Sequence, residues 1–321
     1  MADRTDALPW SAATRREEGV MTSAVTPAEN DPLFGEPLVM RDLLYRGMER
    51  IGALYDRGED LIGVPTGYLD LDQRMSGLRR GTLTLVAGRP AMGKTSFVLG
   101  MAVHAALKGG HPVLLCTPEM EPGGVFQRLL SAEAKVDSVR LRNGRLLESD
   151  WPRITEAVTR LKDAPLYVDE GGSNSIAALR QKVSALKATL GTLGVVVVDD
   201  MWLITEPSPE PRLVHPGETC RALKTIAFDL DIPVVAVSRI SRRVERRHDH
   251  RPMLHDLSGA GEEDADVVVL LYRDEVYNPH TSDAGLAEVI VAKNRGGPTG
   301  LSRLVFNDRF MRFDNVAGHA S

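Results

Sequence analysis

Seven short runs of this chain are apolar from end to end rather than alternately: GTLTLVAG, PVLLCT, APLYVD, GVVVVDD, IPVVAVS, ADVVVLLY and AEVIVAK. A strand that is apolar at every position must be covered on both faces, which happens in a largely parallel sheet sandwiched between helices. The spacers between the runs have the length and periodicity for such helices, at about 94–107, 122–135, 151–163, 174–190 and 217–230. The expected fold is therefore α/β, with a mostly parallel central sheet flanked by helices. The last segment, LSRLVFNDRFMRFDN, alternates and predicts a closing antiparallel hairpin with Asn307-Asp308 at its turn.

Outside that alternation, residues 1–37 are rich in Ala, Thr, Pro, Glu and Asp without sustained period, which predicts a disordered tail. Residues 38–58 form an isolated amphipathic helix, with Leu38, Leu43, Met48, Ile51 and Leu54 on one stripe that needs a partner. The main domain is expected over 59–315, followed by a short tail at 316–321. No apolar run approaches the ~18 residues that cross a membrane. The first thirty residues lack the apolar core of a secretory signal. Only Cys116 and Cys220 are present, so neither a disulfide framework nor a zinc site is expected, and a cytoplasmic location follows. A net charge of −5 argues against general coating of nucleic acid but leaves room for a local basic patch.

The chemistry starts at GRPAMGKT, residues 88–95, between the strand LTLVA and the helical SFVLGMAVHAAL. Strand, glycine-rich loop and helix in that order are the context in which G-x-x-x-x-G-K-[ST] binds phosphate. The loop comprises Gly88, Arg89, Pro90, Ala91, Met92, Gly93, Lys94 and Thr95, with Ser96 next in the helix. Its glycines let backbone N–H groups face the β- and γ-phosphates of ATP, Lys94 supplies a point charge, and Thr95 offers a hydroxyl to Mg2+. Asp199, at the end of VVVVDD, brings a carboxylate to the same sheet edge and is expected to orient Mg2+ through water. Asp200, one residue on, is expected on the opposite face. Glu119 in TPEME follows another strand and is a candidate to position the attacking water, with Glu121 as a weaker alternative at a helix start.

A further segment, SRISRRVERRHDHR at 238–251, holds six arginines against Glu245 and Asp249. By itself it reads either as a solvated loop or as a phosphate-facing surface. His248 and His250 within it form a poor metal site among so many cations.

Several segments together resemble the motor domain of DnaB-type replicative helicases, which has a RecA-like fold, over about residues 40–314. They are GVPTGYLDLDQRMSGLRRGTLTLVAGRPAMGKTSF, TPEM, VVVVDDMWLI, CRALKTIAFDLDIPVVAVS, RPMLHDLSGAGEEDADVVVLLYRDEVYN and AEVIVAKNRGGPTG. The resemblance implies an ATP-dependent DNA helicase of replication, acting on single-stranded DNA as a homo-hexamer with ATP at subunit interfaces. It makes Glu119 the catalytic carboxylate. It makes Lys293 and Arg295 of KNRGGPTG cations acting on the neighbour's γ-phosphate, Arg295 as an arginine finger. By composition alone these two read as a solvated hairpin end. The helix at 38–58 would correspond to the family's linker helix, packed on an adjacent subunit. The DNA-facing residues would be Arg242, Arg243, Arg246, Arg247 and Arg251, with Ser258 and Gly259 donating backbone N–H groups. A loading protein is an expected partner.

Three departures qualify the resemblance. The family's globular N-terminal, primase-binding domain has no counterpart in these residues. The segment DLSGAGEEDAD (256–266) is about two residues shorter than the family's and lacks an arginine. Arg239 stands where the family carries a γ-phosphate-sensing glutamine, and an arginine cannot accept a hydrogen bond from water. A recombinase-like or regulatory DNA-binding ATPase, or a catalytically weak subunit of a helicase ring, are the competing readings.

Overall fold

The computed structural model describes residues 39–57, 61–118, 120, 122–169, 175–205, 213–257, 259 and 261–317. The predicted N-terminal tail, Leu38 and Glu119 lie outside them. The chain divides into two units, at Met1–Arg57 and Gly58–Ser321. The described part of the first is one helix, α1 (Met40–Arg57). Its Leu43, Leu44, Met48 and Ile51 are exposed.

The second unit runs α2 (Leu69–Met75), β1 (Leu83–Gly88), α3 (Lys94–Leu107), β2 (Val113–Cys116), α4 (Pro122–Ala134), α5 (Ser138–Arg142), α6 (Asp150–Leu161) and β3 (Leu166–Asp169). It continues with α7 (Ile176–Leu190), β4 (Val195–Val198), α8 (Pro216–Asp229), β5 (Val234–Arg239), β6 (Val267–Tyr272), β7 (Leu286–Asn294), β8 (Gly300–Asn307) and β9 (Arg312–Asn315). The sheet order is β3-β2-β4-β5-β1-β6-β7-β8-β9, parallel through β6 and antiparallel beyond it.

The continuous apolar runs divide by parity. In β1, Val86 joins the core under α3, whereas Leu83, Leu85 and Ala87 join the core under α7 and α8. β4 divides likewise, with Val195 and Val197 on one side and Val196 and Val198 on the other. Each fully buried Val or Leu contributes about 1.5–3 kcal/mol, so both helix layers are strongly fixed to the sheet. The last strands show the alternation the sequence predicts, and Asn307 pairs with Arg312 across the hairpin. The sequence pattern did not anticipate α2 and α5. Both are too short to show a 3.6-residue period, and α5 forms because Asp137 caps Val139 N and Arg140 N at 3.0 Å.

The segment leading into β6 is clamped to α8. Gly261 has φ +99°, and a Cβ placed there would lie 2.2 Å from Cys220 Sγ. Gly261→Ala is expected to destabilise by about 2–3 kcal/mol, or about 5–10 °C in Tm. Adding Cys220→Ala should recover the part due to the sulfur contact. Thermal unfolding of the single and double variants checks this; simple additivity would show that backbone strain alone is responsible.

Candidate nucleotide site and arginine surface

β1 ends at Gly88, and the loop that follows turns straight into α3. Ala91 (φ +67°) and Gly93 (φ +87°) take the left-handed conformation. At Gly93 a side chain is also excluded by contact, because a Cβ would approach Phe313 to 2.9 Å. Lys94 Nζ donates to the Arg89 carbonyl oxygen at 3.1 Å, bridging the two ends of the loop. A residue absent from the sequence reading holds the loop from the end of β6. Arg273 donates from Nη1 to Ala91 O (2.9 Å) and from its backbone N to Met92 Sδ (3.2 Å). Its guanidinium also lies 3.9 Å from the Phe306 centroid and pairs with Glu275. Its only sequence signal was a charged residue directly after a fully apolar run.

The strand order inserts β5 between the loop's strand and β4, so the last residue of β5, Arg239, pairs in register with Gly88. Asp199 and Asp200 follow β4. Asp199 is buried, and its backbone N donates to Cys116 O at 2.9 Å, joining the ends of β4 and β2. The structure corrects the expectation for Asp200. β4 ends at Val198, so strand alternation no longer governs residues 199 and 200. The Asp200 carboxylate is buried and accepts from Arg239 Nε (2.6 Å) and Trp202 N (3.0 Å). Burial pulls the Lys94 ammonium below the ordinary lysine value, and Asp200, ahead of Asp199, opposes that shift. Arg239, expected to aim at a phosphate, therefore sits within the site with its Nε on Asp200.

Thr95 in the first turn of α3 and Asp199 supply a hydroxyl and a carboxylate, hard oxygen donors whose chemistry fits Mg2+. Among the described residues no cluster of three His, Cys, Asp or Glu could by itself hold a metal ion. Glu119 would follow β2, beside this edge, but lies outside the described residues.

The arginine stretch begins where β5 ends. Residues Arg242–Arg246 form a 3-10 helix pinned by the buried Val244 and by Ser241, whose backbone N donates to Asp256 O at 2.8 Å. The structure divides the arginines by what they touch. Arg247 is paired with the buried Asp256 and also donates to Arg251 O at 2.7 Å. Arg251 makes two bonds to Glu288, at 2.9 and 2.8 Å, and lies over Tyr272. Arg242, Arg243 and Arg246 are exposed and have no ion pair among the described residues. Gly259 N donates to the Glu262 carboxylate at 3.2 Å, and Ser258 lies outside the described residues.

Lys293 and Arg295 are at the other edge of the sheet. β7 runs antiparallel to β6, so Asn294 and Lys293 pair with Val267 and Val268 at the start of that strand, away from the edge where Gly88 and Arg239 end. Lys293 Nζ donates to Glu262 O (2.6 Å) and Glu263 O (3.0 Å). Arg295 reaches Asp266 Oδ1 (3.3 Å) and Glu263 O (2.7 Å). Within one chain these two cations do not meet the phosphate loop.

The DnaB-like helicase C-terminal domain family model matches residues 63–315. The replicative DNA helicase DnaB of Geobacillus stearothermophilus is 38% identical over 281 residues, covering 86% of this chain and 62% of that protein. The replicative DNA helicase DnaC of Bacillus subtilis (strain 168) is 37% identical over the same length, with the same shares. Among solved structures, the ATPase domain of a DnaB-like protein superposes with a TM-score of 0.81 at 29% identity, covering 88% of this chain and all of that one. The structure of a DnaB-like replicative helicase and its interactions with primase gives 0.78 at 29% identity, over 88% of this chain and 68% of that one. The chain thus spans about three-fifths of the length of these curated relatives. With the family model covering the whole sheet and its phosphate loop, the chain belongs to the family of DnaB-like helicase C-terminal domains.

Proposed function

We propose that the chain is the ATP-hydrolysing motor of a DNA helicase, which works between neighbouring copies of itself and moves on single-stranded DNA. The observation that carries this reading is the division of charge between the two sheet edges. Lys94, Asp199, Asp200 and Arg239 gather at the carboxyl edge, and Lys293 and Arg295 lie at the other. A second copy placed head to tail would complete the site, and repetition of that contact closes a ring. Family resemblance sets the number at six.

In that assembly Lys94 and the backbone N–H groups of the 88–95 loop bind the β- and γ-phosphates. Thr95 and Asp199 would hold Mg2+, which when bound neutralises phosphate charge. Glu119 orients the attacking water. Arg295, with Lys293 beside it, stabilises charge on the neighbour's γ-phosphate, a contribution worth roughly 10³–10⁵ in rate. Arg242, Arg243 and Arg246 meet the DNA phosphates with Ser258 and Gly259 on the adjoining loop, while Arg247 and Arg251 shape that surface through Asp256 and Glu288. The exposed stripe of α1 serves as the linker that docks on an adjacent subunit, and the domain boundaries follow at 38–58 and 59–315. Primase and a loading protein would act through whatever the longer relatives carry besides this domain.

ATP hydrolysis measured with and without single-stranded DNA, beside unwinding of a forked duplex, tests the reading. DNA should stimulate turnover and strands should separate; hydrolysis indifferent to DNA, without unwinding, would sink it. Lys94→Ala and Arg295→Ala are each expected to abolish turnover. Mixed in equal amounts they should regain it at roughly one interface in four, since each supplies what the other lacks. No recovery on mixing would exclude a shared site.

Arg239 also generates a prediction. It neutralises a buried carboxylate that would otherwise draw Lys94 away from phosphate. Arg239→Gln should raise the KM for ATP about three- to tenfold, and adding Asp200→Asn should reverse most of the effect. If Arg239→Gln leaves KM unchanged, the pair does not tune Lys94.

A further inference from the structure

Glu245 is the one acidic side chain in the 3-10 helix that carries Arg242, Arg243 and Arg246, yet it pairs with none of them. It reaches back to the phosphate loop. Its Oε1 accepts from Arg89 Nε at 2.9 Å and from Nη2 at 2.7 Å, while Arg89 Nη1 donates to Ile240 O at 3.2 Å. The Arg89 side chain is largely buried, with 14% exposure, whereas Glu245 keeps 43%. Arg89 is therefore held between two obligations. Its carbonyl oxygen receives Lys94 on the loop side, and its guanidinium holds the arginine helix on the other.

The rest of that helix is fixed independently. Val244 is fully buried, Ser241 caps Arg243 N at 3.2 Å, and Ser241 N is bonded to Asp256 O. What can change at low cost is the partner of the half-exposed Glu245. While Arg89 holds it, three arginines stand without a counter-charge. Once Arg89 is drawn elsewhere, the nearest cations for Glu245 are those arginines, and the positive surface loses one unit of charge.

We propose that Glu245 is a positioning residue that couples the phosphate loop to the DNA-facing arginines, by exchanging Arg89 for one of them when nucleotide phosphate competes for Arg89. This rests on the proposed reading of Arg242, Arg243 and Arg246 as the DNA surface. The coupling is electrostatic and has a signature. Each phosphate contact on a single strand contributes about 0.7 to the slope of log affinity against log salt.

The experiment is binding of a fluorescein-labelled oligothymidylate to the full chain, titrated at several salt concentrations, with and without β,γ-imido ATP. Without nucleotide, Arg89→Met should weaken binding and lower the salt slope by about 0.7, and Glu245→Gln in the same chain should restore it. Glu245→Gln alone should bind at least as tightly as the parent. The nucleotide analogue should shift the slope of the parent chain and not that of Glu245→Gln. A nucleotide shift that persists in Glu245→Gln would overturn the proposal, as would an Arg89→Met slope equal to the parent's. These arms use the Glu245→Gln chain, which changes an exposed side chain, so they survive any folding defect in Arg89→Met. A parent chain that binds no oligothymidylate would instead remove the DNA reading itself.

Discussion

Burial of both faces of the parallel strands governs where this chain can place charge. From β3 through β6 the side chains of successive residues pass into one helix layer or the other, with little room for an ion within a strand. Charged groups are displaced to the strand ends, and since the strands run the same way their carboxyl ends lie along one edge. Gly88, Asp199 and Arg239 occupy that edge because β1, β4 and β5 stop there. The site follows from the packing of the sheet, with loops adding the final turn.

Crowding at that edge creates an electrostatic problem that the chain solves by pairing. Lys94 is desolvated and needs carboxylates nearby, while a carboxylate too close would compete with phosphate. Asp200 supplies the opposing charge and Arg239 occupies most of its capacity through a 2.6 Å bond. Arg89 is treated in the same way by Glu245, as are Arg247 by Asp256 and Arg251 by Glu288. The three arginines left over, Arg242, Arg243 and Arg246, differ from the rest in having no ion pair among the described residues. A dense cationic run thus reduces to a small exposed surface on a neutralised base, which reconciles it with a net charge of −5.

Much of this was legible in the residues because it rests on short-range rules. Unbroken apolar runs marked the parallel strands, and strand-loop-helix context marked the phosphate loop; both arise from local sequence. Asp200 was misplaced because alternation was carried one residue past the end of β4, where a turn takes over. Arg273 escaped notice because its task, holding Ala91 O, joins positions 182 apart in the chain. The division of the arginines was equally invisible, since Glu288 and Asp256 select their partners only through β7 and the segment before β6. Ion pairs between distant elements depend on tertiary placement, and composition does not specify it.

The segment between Asp256 and Asp266 links these parts. At one end its Asp256 holds Arg247 and receives Ser241 N, beside the arginine helix. At the other, Glu262 O, Glu263 O and Asp266 hold Lys293 and Arg295. Gly261 is wedged on Cys220 between them, so the segment is attached to α8 at its middle and cannot shift there without leaving that contact. The two cation groups at opposite sheet edges are therefore joined through one short stretch with a fixed point. A displacement at its Gly259 end would be felt by the carbonyl groups that hold Lys293 and Arg295. Shortening of this segment relative to the family resemblance stiffens that link, because fewer residues separate the clamp at Gly261 from either end.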